Sequence, residues 1–177
     1  MNTAKGINIC FLIALSLIFS SCGQRAKDID GNFYETLKIG NQVWMAENLN
    51  VTHFRNGDSI PEVRSSEEWI RYGKEGRPAC CTVHNDPENG KKYGRLYNWY
   101  AVNDSRGLAP KGWHVPSDDE WTYLTDFLGG SILAAFKMRE TGLTDNNINI
   151  RKQGFSGLPG GARNAGGTFY GMASYGY

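Results

Sequence analysis

Apolar and polar residues alternate near the start of the chain and predict a β-hairpin. Phe33, Leu37 and Ile39 share one face at a period of two. The Gly-Asn pair at 40–41 is a two-residue turn signal, and the apolar residues of 42–46 supply the return strand. We therefore expect the folded domain to open with a β-hairpin.

A helical period predicts a well-defined helix after residue 117. Ser117 and Glu120 have the spacing of a capping box, in which each side chain satisfies a backbone N–H of the first turn. Trp121, Leu124 and Leu128 then fall on one face, before two glycines end the helix. This helix is the centre of a unit over 93–128 that we predict to be the scaffold of the domain.

Weaker patterns predict the remaining elements. Ser65 or Ser66 caps a short helix that Gly73 stops, and Ser131 caps a second helix from 132 to about 140. The segment 95–102 carries large aromatic groups on both faces and is interpreted as a buried strand or short helix. Residues 74–92 are polar and are predicted to be irregular.

Composition narrows the class of protein. With 177 residues, 22 glycines and 12% aromatic residues, the chain is typical of one globular, turn-rich domain that can bury a core. The formal net charge is +1, and loss of Lys5 with an N-terminal leader takes it to zero. A balanced charge gives no support to a nucleic-acid partner.

The N-terminus is typical of an exported lipoprotein. Residues 1–21 carry one cation followed by an apolar run that is too short to span a bilayer and is interpreted as a signal peptide. Cys22 follows two serines and looks like the acylated cysteine of the bacterial lipobox, with 22–28 as a polar tether. Several acyl chains would hold the protein on a membrane permanently. An ordinary signal peptide cut near Ser21 is the alternative. The absence of an aspartate after Cys22 implies sorting to the outer membrane.

Two cysteines remain in the folded domain, Cys80 and Cys81, because Cys10 leaves with the leader and Cys22 takes the lipid. Adjacent cysteines rarely bond to each other, since the intervening peptide would be strained. In an oxidising compartment one of them is expected to pair with a cysteine outside this sequence. A reactive or metal-binding thiol pair is the alternative.

One segment offers clustered oxygen atoms of the kind that calcium binds. The side chains are those of Asn85, Asp86, Glu88 and Asn89. Their spacing matches no dedicated calcium loop, and two successive turns are the interpretation we favour.

Other candidate side chains also have a structural interpretation. The three histidines have no paired spacing, so no metal site is predicted, and His114 is interpreted as a packed residue bonded to nearby backbone. The tryptophans are expected to fill the core, with a platform for sugar stacking as the alternative.

Four segments carry a resemblance to a known family. DIDGNFYETLKIGNQVWMAENLN, YGRLYNWYAV, RGLAPKGWHVPSDDEWTYL and GFSGLPGGARNAGGTFYGMASYGY occur in this order from Asp28 to Tyr177. They resemble the Fibrobacter succinogenes major paralogous domain, so a domain is assigned to 29–177. The resemblance implies an α+β, loop-rich fold, C-type lectin-like or sulfatase-modifying-factor-like, with an N-terminal β-hairpin and two short helices.

The resemblance also implies that the chain is incomplete at its C-terminus. Family members continue past the final aromatic run into further strands that carry a cysteine, whereas this sequence ends at Tyr177. The missing cysteine would be a partner for Cys80 or Cys81. Loss of these strands is expected to lower stability, because it exposes strand edges and core aromatic residues.

The expected function is binding. Members of the family are typically exported lipoproteins without an established shared activity, so we expect a surface-anchored, non-enzymatic domain for a glycan or protein ligand, without a cofactor. The alternative is a copper oxidase similar to formylglycine-generating enzymes, which use two cysteines near their C-terminal end. Cys80 and Cys81 lie elsewhere in the chain, so no catalytic residue is carried over.

Overall fold

The computed structural model describes residues 25–138 and 158–172. This part of the chain contains one short 3-10 helix, Val83–Asn85, and five α-helices: Ser66–Lys74 (α1), Pro87–Tyr93 (α2), Trp99–Val102 (α3), Asp118–Phe127 (α4) and Ser131–Met138 (α5). Its strands form four antiparallel pairs: Ala26–Lys27 (β1) with Phe33–Tyr34 (β2), Thr36–Ile39 (β3) with Gln42–Met45 (β4), Cys80–Cys81 (β5) with Leu96–Tyr97 (β6), and Ala162–Arg163 (β7) with Phe169–Tyr170 (β8). The predicted α+β class is confirmed. Most strands have only two residues, so loops carry much of the fold.

The predicted hairpin is confirmed as β3 and β4. Leu37 pairs with Trp44, and Ile39 pairs with Gln42 across the two-residue turn. Leu37, Ile39 and Trp44 are buried, as the alternation predicts.

Phe33 does not share the buried face of the hairpin, contrary to the prediction. It lies in β2 and is 60% exposed, because β2 pairs with β1 and buries Tyr34 instead. The Tyr34 hydroxyl donates to the buried carboxylate of Asp28 at 2.6 Å. β1 lies within the segment 22–28 that was predicted as a tether, so the folded part begins by Ala26.

The largest cluster of buried residues lies where α4 and α5 pack on the hairpin; we call it the hairpin core. Trp121 of α4 packs on Trp44 with ring centroids 4.8 Å apart. The two helices place one face each against the strands. The buried members are Leu37, Ile39, Trp44, Ala46, Leu124, Leu128, Ala134 and Met138.

Strand β5 separates two further clusters. Cys80 lies in a central core with Val51, Phe54, Ile60, Ala101 and Leu108. Cys81 lies in an α1 core with Val63, Trp69, Tyr72 and Ala79. Successive side chains of a strand point to opposite sides, so this two-residue strand contributes to both clusters.

The structure confirms the predicted caps of two helices. Ser117 and Glu120 form the complete capping box at the start of α4, and Ser65 accepts from the backbone N–H of Glu68 at the start of α1. Helix α1 continues one residue past Gly73. Helix α5 is confirmed over 132–138, but Ser131, predicted as its cap, is its first residue, and the predicted residues 139–140 lie outside the described part.

The prediction that 74–92 is irregular is wrong in part, because this segment contains β5 and α2. Asp86 caps α2 by accepting from the N–H of Glu88, and Pro87 occupies its first turn. A Cβ at Gly90 would lie 2.5 Å from the Thr82 Cγ2 atom, so the glycine serves the close approach of α2 rather than a turn. The segment 95–102 contains both β6 and α3, so both a strand and a short helix are present, but the prediction that the segment is buried is wrong because Trp99 and Tyr100 are exposed and only Ala101 is buried.

Candidate functional site

A cleft of about 240 Å³ lies between α2 and the segment 62–64. Most of its side chains are charged or form hydrogen bonds, and they come from five separate stretches of the chain. The lining residues are Asn50, Glu62, Arg64, Thr82, Pro87, Gly90, Lys91 and Arg95.

Backbone contacts position Glu62 beside the central strand. Glu62 forms an isolated parallel bridge with Cys80, and the backbone N–H of Val63 donates to the Cys80 carbonyl at 2.9 Å. These contacts with β5 hold the Glu62 backbone in place, so its carboxylate lines the cleft.

Arg95 enters the cleft from the other side of β5, just before β6. Its backbone N–H donates to the Leu49 carbonyl at 3.0 Å. The preceding Gly94 has a φ of +71°, and a Cβ there would lie 2.6 Å from the same carbonyl oxygen. Only glycine fits this turn, so Gly94 sets the position of the Arg95 backbone beside the cleft.

Glu62 holds one arginine on each of its oxygen atoms. The Arg64 Nε lies 2.9 Å from Oε1, and the Arg95 Nη1 lies 2.9 Å from Oε2. Burial raises the pKa of the Glu62 carboxyl, but the hydrogen bonds and charges of Arg95 and Arg64 outweigh it and hold the pKa below its usual value. Glu62 is therefore ionised at neutral pH.

Arg95 is the most deeply placed cation of the cleft. Its side chain is 15% exposed, and its Nε is buried with no hydrogen-bond partner. Its Nη1 also lies 3.8 Å from the Cys80 Sγ. The ion pair with Glu62 offsets part of the cost of burying this cation.

The backbone of Arg64 is anchored although its side chain is exposed. Its carbonyl accepts from Asn85 Nδ2 at 2.8 Å and from Arg163 Nη2 at 2.9 Å. Its guanidinium therefore extends from a fixed point at the rim of the cleft.

The four calcium candidates have separate structural roles. Asn85 holds the Arg64 carbonyl, Asp86 caps α2, Asn89 donates to the Val83 carbonyl, and Glu88 pairs with Lys91 at 2.6 Å. The two successive turns that we favoured are wrong for the second half of this segment, which is helical. Within 25–138 and 158–172, no three His, Cys, Asp or Glu side chains converge closely enough to hold a metal ion.

Cys80 and Cys81 are both fully buried and are free cysteines. Burial raises the pKa of the Cys80 thiol to about 11, and it also raises the pKa of Cys81. The two side chains face different cores, so they do not fit a shared copper site of the oxidase type. The predicted disulfide to a cysteine beyond Tyr177 stays a prediction.

The histidines lie apart from the cleft. His114 is exposed and its Nε2 contacts the Glu120 carboxylate at 2.8 Å, so the expectation of a packed histidine bonded to backbone is wrong. It borders the capping box, where hydrogen bonds from the Ser117 backbone and then from His114 lower the pKa of the Glu120 carboxyl. His53 Nδ1 contacts Asp30, and His84 packs on the ring of Phe169.

The tryptophans divide between core and surface. Trp44 and Trp69 are buried, and Trp121 packs against the hairpin core, as expected. Trp99, the first residue of α3, is 67% exposed. Trp113 is half-buried and lies in none of the three clusters, so the alternative of a stacking platform stays open for Trp99 and Trp113.

Sequence reasoning did not identify the cleft. Glu62 and Arg64 are two residues apart, and Arg95 lies about thirty residues later, so no local spacing joins them. Only the pairing of 62–63 and β6 with β5 brings them together.

The predicted signal peptide over 1–21 and the lipid-bearing Cys22 lie outside the described residues. Within the described ranges, no helix has the length and apolar character needed to cross a membrane.

Neither curated proteins nor solved structures gave a match to this chain. The sequence model of the Fibrobacter succinogenes major domain matches residues 37–177, which is most of the chain. The match includes the hairpin, the cleft residues and all five helices. The chain therefore belongs to the Fibrobacter succinogenes major domain family.

Proposed function

We propose that the protein is an exported, lipid-anchored, non-enzymatic domain that binds a glycan or protein ligand in the cleft beside α2. The observation that carries this proposal is the charge of the cleft, since Arg64, Lys91 and Arg95 line it with Glu62 as the single carboxylate of the lining. A concave, charged surface of this kind attracts a ligand of opposite charge and offers it hydrogen-bond donors.

Binding fits the chemistry of the cleft better than catalysis does. The one carboxylate of its lining, Glu62, is held between two guanidinium groups that stay protonated at neutral pH. None of the three histidines lines it. The nearest thiol, Cys80, is buried and its raised pKa keeps it protonated.

A glycan array and a pull-down from a bacterial surface fraction test the proposal, with the full lipoprotein in detergent. Arg64→Gln removes a cleft cation, and the matched control Arg71→Gln removes an exposed, ion-paired arginine of α1 outside the cleft. A ligand whose capture falls with Arg64→Gln and not with Arg71→Gln supports the proposal. Empty results in both assays would refute it.

The anchor is proposed to be a lipid on Cys22, with the outer membrane as its location. Radiolabelled palmitate should label the wild type and fail to label Cys22→Ser. Equal labelling of the two proteins would contradict the anchor.

The finer fold assignment, C-type lectin-like or sulfatase-modifying-factor-like, is proposed on the resemblance alone. The expectation that further strands follow Tyr177 also stays a prediction. The nucleotide sequence beyond codon 177 tests it directly: an open frame that encodes strands and a cysteine would support it, and one that encodes neither would contradict it.

A further inference from the structure

The cleft has a local excess of positive charge. Arg64, Lys91 and Arg95 face it together with the single carboxylate of Glu62. The chain as a whole has a formal charge of only +1, so this excess belongs to the site and not to the surface in general. A ligand with one negative charge or more would be attracted here.

The cations offer directional donors as well as charge. Arg64 binds Glu62 through its Nε and Arg95 binds it through one terminal nitrogen, so neither ion pair uses the whole guanidinium group. A planar guanidinium presents paired donors that match the two oxygens of a carboxylate. Lys91 at the rim adds a charge that is already shared with Glu88.

The remaining lining suits hydroxyl groups. Glu62 is an acceptor, the Asn50 amide both donates and accepts, and the Thr82 hydroxyl does the same. An acidic amino-acid side chain carries a carboxylate on methylene groups and has no hydroxyl to offer the Asn50 and Thr82 side chains. A sugar hydroxyl can donate to one of them and accept from another.

The volume limits the ligand to one small residue. A cleft of about 240 Å³ is smaller than the pockets of roughly 300–1,000 Å³ that hold drug-sized molecules. We propose that this cleft binds one carboxylated sugar, a uronate, with its carboxylate at Arg64 and Arg95 and its hydroxyls toward Glu62, Asn50 and Thr82. This inference rests on the proposed function of a binding domain.

Titration calorimetry of the lipoprotein in detergent tests the inference with galacturonate, its neutral amide, and galactose. Hydrogen bonds to a charged group are stronger than those to a neutral group. Galacturonate should therefore bind at least about tenfold more tightly than its neutral amide. Equal affinity for the acid and the amide would overturn the inference and leave the binding domain intact. A trimer of galacturonate separates the sources: tighter binding than the monomer indicates a glycan, and equal binding indicates a free sugar.

Two cleft variants and one control connect binding to the site. Arg64→Gln should lose the preference for galacturonate over its amide. Because the Arg64 side chain is exposed, this substitution should leave the fold intact. Arg95→Gln should lose binding more completely, with circular dichroism to verify that it folds. Arg71→Gln should bind as the wild type does. A preference that survives both cleft substitutions would place the site elsewhere and overturn the inference.

Inorganic phosphate and an aspartate-containing dipeptide complete the set of probes. Binding of either in place of galacturonate would overturn the inference, because the cleft would then select an oxyanion without the sugar. If every probe fails while the array or the pull-down finds a ligand, the uronate is wrong and the binding domain stands. If those two assays are empty as well, both proposals fail.

Discussion

The α4–α5 helix pair and the region around β5 bury their apolar residues in different ways. Around β5, Cys80 and Cys81 are both fully buried, with a cluster of side chains on each side of the strand. The helix pair places Leu124 and Leu128 in the hairpin core and leaves the apolar side chains of Ile132, Leu133 and Phe136 exposed on α5, called here the outer helix face.

Polar contacts separate the two regions further. Arg163 lies over the rings of Trp69 and Phe169, and it donates to the carbonyls of Val63, Arg64 and Gly167. The β5 region is therefore held by directional bonds between distant segments. The helix pair is held mainly by apolar contact on one face, so substitutions there should depend on which face they touch.

The largest effect should come from the inner face of the helix pair. Leu124→Ala removes a fully buried side chain of the hairpin core and should lower the free energy of unfolding by about 3 kcal/mol, since it leaves a cavity. Urea unfolding followed by circular dichroism measures it. Phe127→Ala, on the same helix but half exposed, is the control and should cost much less. Equal losses in the two variants would mean that the helix is not amphipathic in the way described.

The next effect should come from the β5 region. Arg163→Ala removes three donors to backbone carbonyls and two ring contacts, and it should cost about 2 kcal/mol because those carbonyls lose partners. Arg163→Lys should recover only part of this, since an ammonium group lacks the planar fork. If Arg163→Lys unfolds in urea with the same free energy as the wild type, the positive charge alone accounts for the contribution of Arg163.

The helix cap should have an intermediate effect. Ser117→Ala breaks the capping box of α4 and should cost about 1 kcal/mol. Thr125→Ala removes a hydroxyl that donates within the same helix, to the Thr122 carbonyl, and serves as the control. A Thr125→Ala loss as large as that of Ser117→Ala would indicate a general sensitivity of α4 instead of a cap.

The ion pairs of the cleft should have a smaller, pH-dependent effect. Because the pKa of Glu62 is lowered in the folded protein, its contribution is present above the ordinary glutamate pKa and is lost as the pH falls through the lowered value. Glu62→Gln should remove this part of the pH dependence below about pH 4.5, an effect of at most about 1 kcal/mol for partly exposed pairs. Urea midpoints at pH 3–7 measure it, with Glu67→Gln of α1 as the control. If stability falls at low pH in Glu62→Gln as it does in the wild type, the lowered pKa of Glu62 is not its cause.

The smallest effect on stability should come from the outer helix face. Ile132 is 74% exposed, so Ile132→Lys should change the free energy of unfolding by less than about 0.5 kcal/mol. It should reduce the binding of a hydrophobic dye, because it interrupts the apolar patch. A large loss of stability would show that Ile132 is covered in solution.

The elements that could be predicted are those with their signals inside one short segment. Helix α4 has its cap, its apolar stripe and its glycine stop within 117–130, and the hairpin has its alternation and turn within 37–46. Helix α2 shows the limit of such signals. Asp86 and Pro87 are good start residues, but the Asn-Gly pair at 89–90 indicated a turn, and only the contact of Gly90 with Thr82 explains a glycine in that helix.

The candidate site depended on contacts that no short segment contains. Phe33 and Tyr34 exchanged their expected faces because β2 pairs with β1, and His114 turned outward to the acid of the capping box. Glu62, Arg64 and Arg95 meet only because the segment before α1 and strand β6 both pair with β5.

The sequence by itself determined the family, the first hairpin and the main capped helix, since each of these follows from a motif or from hydrogen bonds between near neighbours. Tertiary structure alone decided which thiol faces which core, which tryptophan is left at the surface, and where two arginines hold one carboxylate. The physical reason is range. Local hydrogen bonds and side-chain periods depend on residues that are close together in the sequence. Burial and charge pairing depend on which distant segments the folded chain brings into contact.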